Sequence, residues 1–464
     1  MHPSKDDWNQ LQDYFQVFES ISKSFIENLD NQKVGKLDVQ LPQANLPPSG
    51  MPLEQAISHL KDSIIPQLSA ARGSRYWGFV TGGATPVSTL ADWLVTTFDQ
   101  NVSKEGDSIA TDVEWQTIQW LCELFYLPQT FKGLMTTGAT SANFIGACVA
   151  RQYAGKLQDI DVAKEGVYGL DVEIFTTTPH ASMIKSLGMS GLGQRHVTKV
   201  AALENSEVMD TNALKTALEK SNSKAKIIIA SAGTVTATDF DDLVKIAELA
   251  KQCNAWLHVD AAFGLFERLV NGVDGKTKGL EFADSITVDC HKWLNVPYDS
   301  GVFLTRHLEL LEASFDVPAP YLVNAGNVPS FMSIGVENSR RFRAFPVWLS
   351  LLAYGKEGVT QWIKSNIDCA KSLARWIEQS EDYELVYPCQ MNVVLFRPNC
   401  QGLDAEQSDL LTAKRLDAIN RDGRIFLSPG EWQGKKIIRA ALSNWQTDRS
   451  DIDVAIEVLE EVAL

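Results

Sequence analysis

In the stretch Ser285-Ile-Thr-Val-Asp-Cys-His-Lys-Trp-Leu-Asn295, an apolar, β-branched run reads as a strand that ends by delivering His291 and Lys292 into a turn. A lysine flanked by His and Trp at such a strand end is badly placed for a solvated surface residue. It is well placed for an amine that attacks a carbonyl, although a lysine that merely snorkels outward satisfies the same spacing. Working outward, runs of the same kind lie at Val172–Thr177, Lys226–Ser231 and Trp256–Asp260, and the helical segment Leu243–Cys253 falls between two of them. This alternation over roughly 85–305 predicts an α/β fold with a mostly parallel sheet covered by helices on both faces. The polar residues that end its strands should then collect at one edge, where open α/β sheets bind ligands.

Asp260 ends one of those strands, in Trp256-Leu-His-Val-Asp-Ala-Ala-Phe263. Alone it reads as a turn or helix-cap residue. Beside an amine-bearing strand of the same sheet, it can instead hold a heterocyclic nitrogen protonated. Thr136-Thr-Gly-Ala-Thr-Ser-Ala-Asn143 precedes an apolar helical stretch, so its small hydroxyl residues offer free N–H groups and a positive dipole end to a dianion. Without a ligand the same residues are a plain Ser/Thr cap. Thr178-Pro-His-Ala-Ser182 follows another strand and sets His180 at the same edge, where it can stack on a flat ring. A lysine to bond the aldehyde, a carboxylate for the ring nitrogen and a phosphate seat are what pyridoxal 5′-phosphate requires.

The remaining composition narrows the field. The chain has 464 residues, 45% hydrophobic and 22% charged, an ordinary globular composition. With 42 basic and 58 acidic residues its formal charge is −16, a field that repels phosphate backbones and anionic membranes and argues against nucleic-acid or membrane partners. Cysteines 122, 148, 253, 290, 369, 389 and 400 are odd in number and never spaced C-x-x-C, which argues against a disulfide framework or a metal site. No stretch resembles a signal peptide or a membrane span, so a cytoplasmic location is expected.

Leu11, Phe15, Phe18, Ile21 and Phe25 recur at helical spacing, predicting one helix over about 8–29 with an apolar face that packs on the main body or on a second subunit. Residues 41–52, rich in proline, read as a linker. Residues 316–338, rich in Pro, Gly, Asn and Ser, read as a lid. The last hundred residues alternate helix (about 359–379), strand (384–396), helix (409–421), strand (435–442) and helix (449–462), a small α/β unit. The expected division is 1–84 as a helical, dimer-packing segment, 85–345 as the large cofactor-binding unit and 346–464 as the small C-terminal one.

In order and spelling these segments resemble the group II pyridoxal-phosphate-dependent amino-acid decarboxylases, whose members include aromatic-amino-acid, histidine and glutamate decarboxylases. The matching stretches run from Arg75-Tyr-Trp-Gly-Phe-Val-Thr-Gly-Gly83 through the phosphate turn, His180, Gly233-Thr234, His258-Val-Asp-Ala-Ala262, His291-Lys-Trp293 and Ser339-Arg-Arg341 to Arg439-Ala-Ala-Leu-Ser-Asn444. The resemblance implies the type I fold of pyridoxal-phosphate enzymes with a seven-stranded sheet, and a homodimer that shares its active sites. It makes Lys292 the Schiff-base lysine, Asp260 the partner of the ring nitrogen, and His180 and Ala262 the residues on the two ring faces. Thr140, Ser141 and His291 would lie near the phosphate, Thr234 near the ring hydroxyl, and Phe79, Val80 and Thr81 in the side-chain pocket. Arg439 matches the arginine that grips the substrate α-carboxylate in the glutamate-specific branch.

One departure stands out. Counted back from Arg340-Arg341, the position where aromatic-acid decarboxylases carry a proton-donating lid tyrosine is Phe331, which has no acidic proton. The expected activity is decarboxylation of an L-amino acid to its amine, with Tyr321 or His180 as substitute proton donors. Phe331 opens an alternative, an aldehyde-forming oxidative deamination or an aminotransferase-like reaction. A third reading, a non-catalytic regulator of the same fold, is disfavoured by Lys292, Asp260 and His180 all being present.

Overall fold

The computed structural model describes residues 3–41, 45, 46, 48–317 and 329–463. Seven strands form the main sheet: β1 (Lys132–Thr136), β2 (Val172–Thr176), β3 (Val197–Lys199), β4 (Ala225–Ser231), β5 (Trp256–Asp260), β6 (Ser285–Asp289) and β7 (Gly301–Thr305). Their spatial order is β1-β7-β6-β5-β4-β2-β3. The neighbours from β3 to β6 pair in parallel, and β7 alone runs antiparallel, to both β6 and β1. Every residue of β5, β6 and β7 is buried, which explains why these strands read as continuous apolar runs without alternation.

The register gathers the chemistry. Ser231 sits opposite Asp260, Asp289 opposite Gly301, and Gly301 also opposite Thr136. Four segments therefore deliver their polar ends to one edge, as crossover connections of one hand require of parallel strands. The expected mostly parallel seven-stranded α/β sheet is what forms.

A second, antiparallel sheet contains β8 (Tyr383–Tyr387), β9 (Val393–Pro398), β10 (Ser428–Trp432) and β11 (Lys435–Ala441) in the order β10-β11-β9-β8. The single strand expected at 384–396 is in fact two, because the chain turns at Pro388, which has no N–H to offer a ladder. Strand β10 was not foreseen, since Pro429 and Gly430 disguise it; both are tolerated because β10 is an edge strand that pairs only with β11. The helix expected from about 359 begins at Ala344 and runs to Gln379, interrupted at Gly355, whose φ of 59° breaks the helical backbone.

One face of the smaller sheet, through Val393, Leu395, Ile437 and Ala441, joins the main core, while its other face has a separate core to which Trp77 belongs. Trp77 donates its N–H to the Phe426 carbonyl and accepts from the Ala441 N–H, so the segment before the cavity is stitched onto the small sheet. Six residues later, the Gly83 N–H donates to Asn295 Oδ1 at 2.8 Å. At Gly82 a Cβ would lie 1.7 Å from the Lys292 carbonyl oxygen, so only glycine lets this segment lie against the lysine turn.

The N-terminal helix is broken into Pro3–Asn9 and Leu11–Glu27. None of the latter helix is buried within one chain, and Trp8 and Phe15 are exposed at 72% and 55%. Part of the expected linker, residues 42–44 and 47, lies outside the described residues, as do 318–328 of the expected lid, Tyr321 among them.

Candidate active site

The strand edge opens into a cavity of about 570 Å³ lined by residues from both sheets. Of the residues read from the sequence, the structure brings Phe79, Val80, Thr81, Thr140, Ser141, His180, Thr234, Asp260, Ala262, His291, Lys292 and Arg439 together around it. Phe331 is not among them.

Lys292 follows β6 by a short turn, and its Nζ lies 2.9 Å from Asp289 Oδ2 and 5.9 Å from the centre of the Phe263 ring. The other oxygen of Asp289 accepts the Ala139 N–H at 2.6 Å, at the start of helix Ala139–Lys156. The amine is thus held by a carboxylate that is itself tied to the dianion seat. Asp289 was unassigned from sequence, although it ends β6 just as Asp260 ends β5, and that shared strand-end position was a usable signal.

Asp260 is 8% exposed. Its Oδ1 accepts the Ala262 N–H at 3.2 Å and its Oδ2 accepts Asn143 Nδ2 at 2.9 Å, which fixes the carboxylate plane against the cavity wall. His180 caps helix Ala181–Met189, and its Nδ1 accepts the Ser182 backbone N–H at 3.1 Å. A backbone N–H can only donate, so the ring proton sits on Nε2. Burial lowers the His180 pKa against the opposing pull of Asp260, which favours the neutral ring. His291 is likewise pushed down by burial, with Asp289 opposing, and its ring lies 4.5 Å from that of Tyr298.

Thr140 and Ser141 occupy the first turn of helix Ala139–Lys156, where free N–H groups and the helix dipole favour an anion. Thr234 Oγ1 accepts the Asp239 N–H at 2.9 Å, which leaves its own proton free. Arg439, on β11, is 6% exposed, and its Nε and one terminal nitrogen have no partner among the described residues. Burial lowers its pKa to about 10, so the group remains a cation at neutral pH. A buried guanidinium with unmet donors beside an amine and a carboxylate calls for an anionic group. An amine for an aldehyde, a carboxylate for a ring nitrogen and a helix N-terminus for a phosphate all face one space, and this set fits pyridoxal phosphate.

The Phe331 expectation is corrected. Its ring is fully buried in the main core, stacked on Trp115 at 4.6 Å, with the Arg340 guanidinium 4.7 Å from its centre. It is held there by packing and by the pair that Arg340 makes with the wholly buried Glu114, at 2.7 Å. Within one chain it does not line the cavity. Phe331→Tyr should therefore leave the product unchanged and cost about 1–3 kcal/mol of stability, because the added oxygen overpacks a fully buried site. Thermal unfolding beside product analysis checks this; a change of product with unchanged stability would restore the lid assignment.

Residues 36–399 match the family model described as "Pyridoxal-dependent decarboxylase conserved domain". The chain is 28% identical over 417 residues to an aromatic-L-amino-acid decarboxylase of Bacillus atrophaeus, covering 88% of this chain and 85% of that one. It is also 28% identical over 356 residues to an L-2,4-diaminobutyrate decarboxylase of Acinetobacter baumannii, covering 72% and 69%. Its fold superposes on the crystal structure of Oryza sativa TDC with PLP and tryptamine, with a TM-score of 0.90, 19% identity and 98% of each chain covered. The matched segment spans the phosphate turn, Asp260 and Lys292, and with these findings the chain belongs to the pyridoxal-dependent decarboxylases: it is a pyridoxal-phosphate enzyme, a carboxy-lyase acting on amino acids.

Proposed function

We propose that the chain is a homodimeric, cytoplasmic decarboxylase of L-amino acids with a bulky, uncharged side chain. Lys292 bonds the cofactor aldehyde and Asp260 pairs with the ring nitrogen. His180 and Ala262 take the two ring faces, Thr140, Ser141 and His291 serve the phosphate, and Thr234 serves the ring hydroxyl. The observation that carries the reading is Arg439, whose buried guanidinium has two nitrogens without a partner among the described residues, meets the same cavity as Lys292 and Asp260 and suits a substrate α-carboxylate.

When bound, the cofactor supplies an electron sink for the pair left as the bond from Cα to the carboxylate breaks. Arg439 orients that bond by gripping the carboxylate. Phe79, Val80 and Phe263 give the cavity apolar walls that exclude water. His180, neutral with its proton on Nε2, offers that N–H as a hydrogen-bond donor on its side of the cavity and is not itself the acid form of the ring.

The side-chain preference follows from charge. Among the described residues lining the cavity, the permanent cations are Lys292 and Arg439. With Arg439 on the α-carboxylate, no second arginine lines the cavity among the described residues to pair an acidic side chain, and Phe79 and Val80 favour an apolar one. Measuring CO₂ release from L-phenylalanine, L-tyrosine, L-tryptophan, L-glutamate and L-2,4-diaminobutyrate tests this. Release from the aromatic acids is expected; release from glutamate alone overturns the preference, and release from none of the common L-amino acids overturns the reaction. The aldehyde-forming and aminotransferase-like alternatives rested on Phe331, and no residue in the site favours them.

Arg439→Met should lower kcat/KM by about 30- to 5,000-fold, the equivalent of about 2–5 kcal/mol, since it removes one end of a buried charge pair. If the variant still prefers amino acids over the matching amines as strongly as the parent does, the carboxylate is held elsewhere.

The dimer is supported by apolar residues left open on one chain: Trp8, Phe15 and Phe18 near the N-terminus and Leu90, Trp93, Leu94 and Phe98 along helix Pro86–Phe98. Among the described residues no helix is long and apolar enough to cross a membrane, and all seven cysteines are free, which suits a reducing compartment. The division into 1–84, 85–345 and 346–464 is supported by the two separate sheets, whose strands fall within 85–345 and 346–464.

A further inference from the structure

His258 lies two residues before Asp260 on the same face of β5, but it does not line the cavity and is 1% exposed. Its ring bridges two partners: Nδ1 lies 2.8 Å from Ser285 Oγ and Nε2 lies 3.0 Å from Asn143 Oδ1. Asn143 is wholly buried and reaches from His258 to Asp260, donating through Nδ2 to Asp260 Oδ2 at 2.9 Å and to Ser182 Oγ at 3.1 Å. At the far end, Trp256 Nε1 donates to Ser285 Oγ at 3.1 Å.

The ends of this chain fix its direction. An indole N–H can only donate and a carboxylate can only accept. With the indole proton on its oxygen, Ser285 has its own proton free for His258 Nδ1. His258 then carries its proton on Nε2 and gives it to Asn143 Oδ1, so the Asn143 amide group faces Asp260. Reversing any member would turn Asn143 Oδ1 against the carboxylate or strand a donor in the core. Burial drives the His258 pKa to about 4, which keeps the ring neutral and leaves Nδ1 free to accept. Room for the ring is also built in, because a Cβ on Gly146 would come within 2.7 Å of His258 Cε1.

We propose that Trp256, Ser285, His258 and Asn143 form a one-way hydrogen-bond relay that holds Asp260 as an oriented acceptor facing the cofactor ring, which makes Asn143 and His258 positioning residues of this site. The inference rests on the cofactor reading above for what Asp260 faces; the direction of the relay stands on the protein alone. Its chemical consequence lies in the ring charge. A displaced Asp260 stabilises the protonated ring less, and with less ring charge the lysine-linked nitrogen keeps its own proton to higher pH.

Two measurements test it. In protein labelled with ¹⁵N-histidine, the His258 signals, identified by their loss in His258→Gln, should show a protonated Nε2 and a bare Nδ1 near neutral pH. In Asn143→Leu, the pH midpoint of the lysine-linked absorbance should move toward alkaline pH by about tenfold in proton concentration. A loss of packing alone would lower thermal stability without moving that midpoint. A proton on His258 Nδ1 overturns the relay, as does an Asn143→Leu midpoint equal to that of the parent. If Asn143→Leu fails to fold, the His258 tautomer of the parent decides the matter. A parent that gives no lysine-linked absorbance refutes the cofactor assignment instead, and the tautomer measurement still reports on the relay.

Discussion

Lys292→Ala should lower turnover by at least about a thousandfold and leave no covalent link between protein and cofactor. Among the described residues lining the cavity, Lys292 carries the only primary amine, and its Nζ sits on the strand edge beside Asp289 at 2.9 Å. Borohydride reduction followed by peptide mapping reads the outcome directly. The parent should carry the label on Lys292 and the variant should carry none. A label on another lysine in the parent would sink the site assignment, whatever the kinetics show. The variant should fold, because the alanine removes an amine that is partly open to the cavity rather than a buried apolar contact, but it leaves Asp289 without its cation. A modest loss of thermal stability in the cofactor-free protein is the expected trace of that unpaired carboxylate.

Asp260→Asn should lower turnover by about 10²–10³-fold, the range seen when one preorganised electrostatic partner is removed. The substitution is less conservative here than the matching shape suggests. Both oxygens of Asp260 accept from donors, the Ala262 N–H and Asn143 Nδ2. An amide offers a single acceptor oxygen, so one of those buried donors loses its partner, at a cost of about 1–3 kcal/mol. The variant should therefore show both the kinetic defect and a lower Tm. Retention of most of the activity would reduce Asp260 to a turn residue.

The sequence by itself determined the parts of this protein that depend on local pattern. β5 and β6 begin and end at the residues where their apolar runs begin and end, because strands buried on both faces need unbroken hydrophobicity. Lys292, Asp260, His180 and the Thr140-Ser141 turn were legible for the same reason: each follows a strand, and parallel strands share one functional edge. Helix Ala405–Asp422 was legible at 409–421, though Asp404, which caps it in a capping box with Gln407, lies well before the expected start.

What only the tertiary structure decided depends on contacts between segments far apart in the chain. Phe331 looked like a residue on a mobile lid because its neighbours are Pro, Asn and Ser. Trp115 and Arg340, brought in from helix Ala110–Leu124 and from the approach to helix Ala344–Gln379, place it in the core instead. The partner of Lys292 was equally hidden, since Asp289 is three residues away and nothing in that spacing says whether the two side chains converge. The direction of the relay behind Asp260 needed Ser285, 27 residues from His258, and Asn143, 115 residues away, to meet one ring. A hydrogen bond depends on which donor faces which acceptor within a few tenths of an ångström, and that is set by packing around the site rather than by periodicity along the chain.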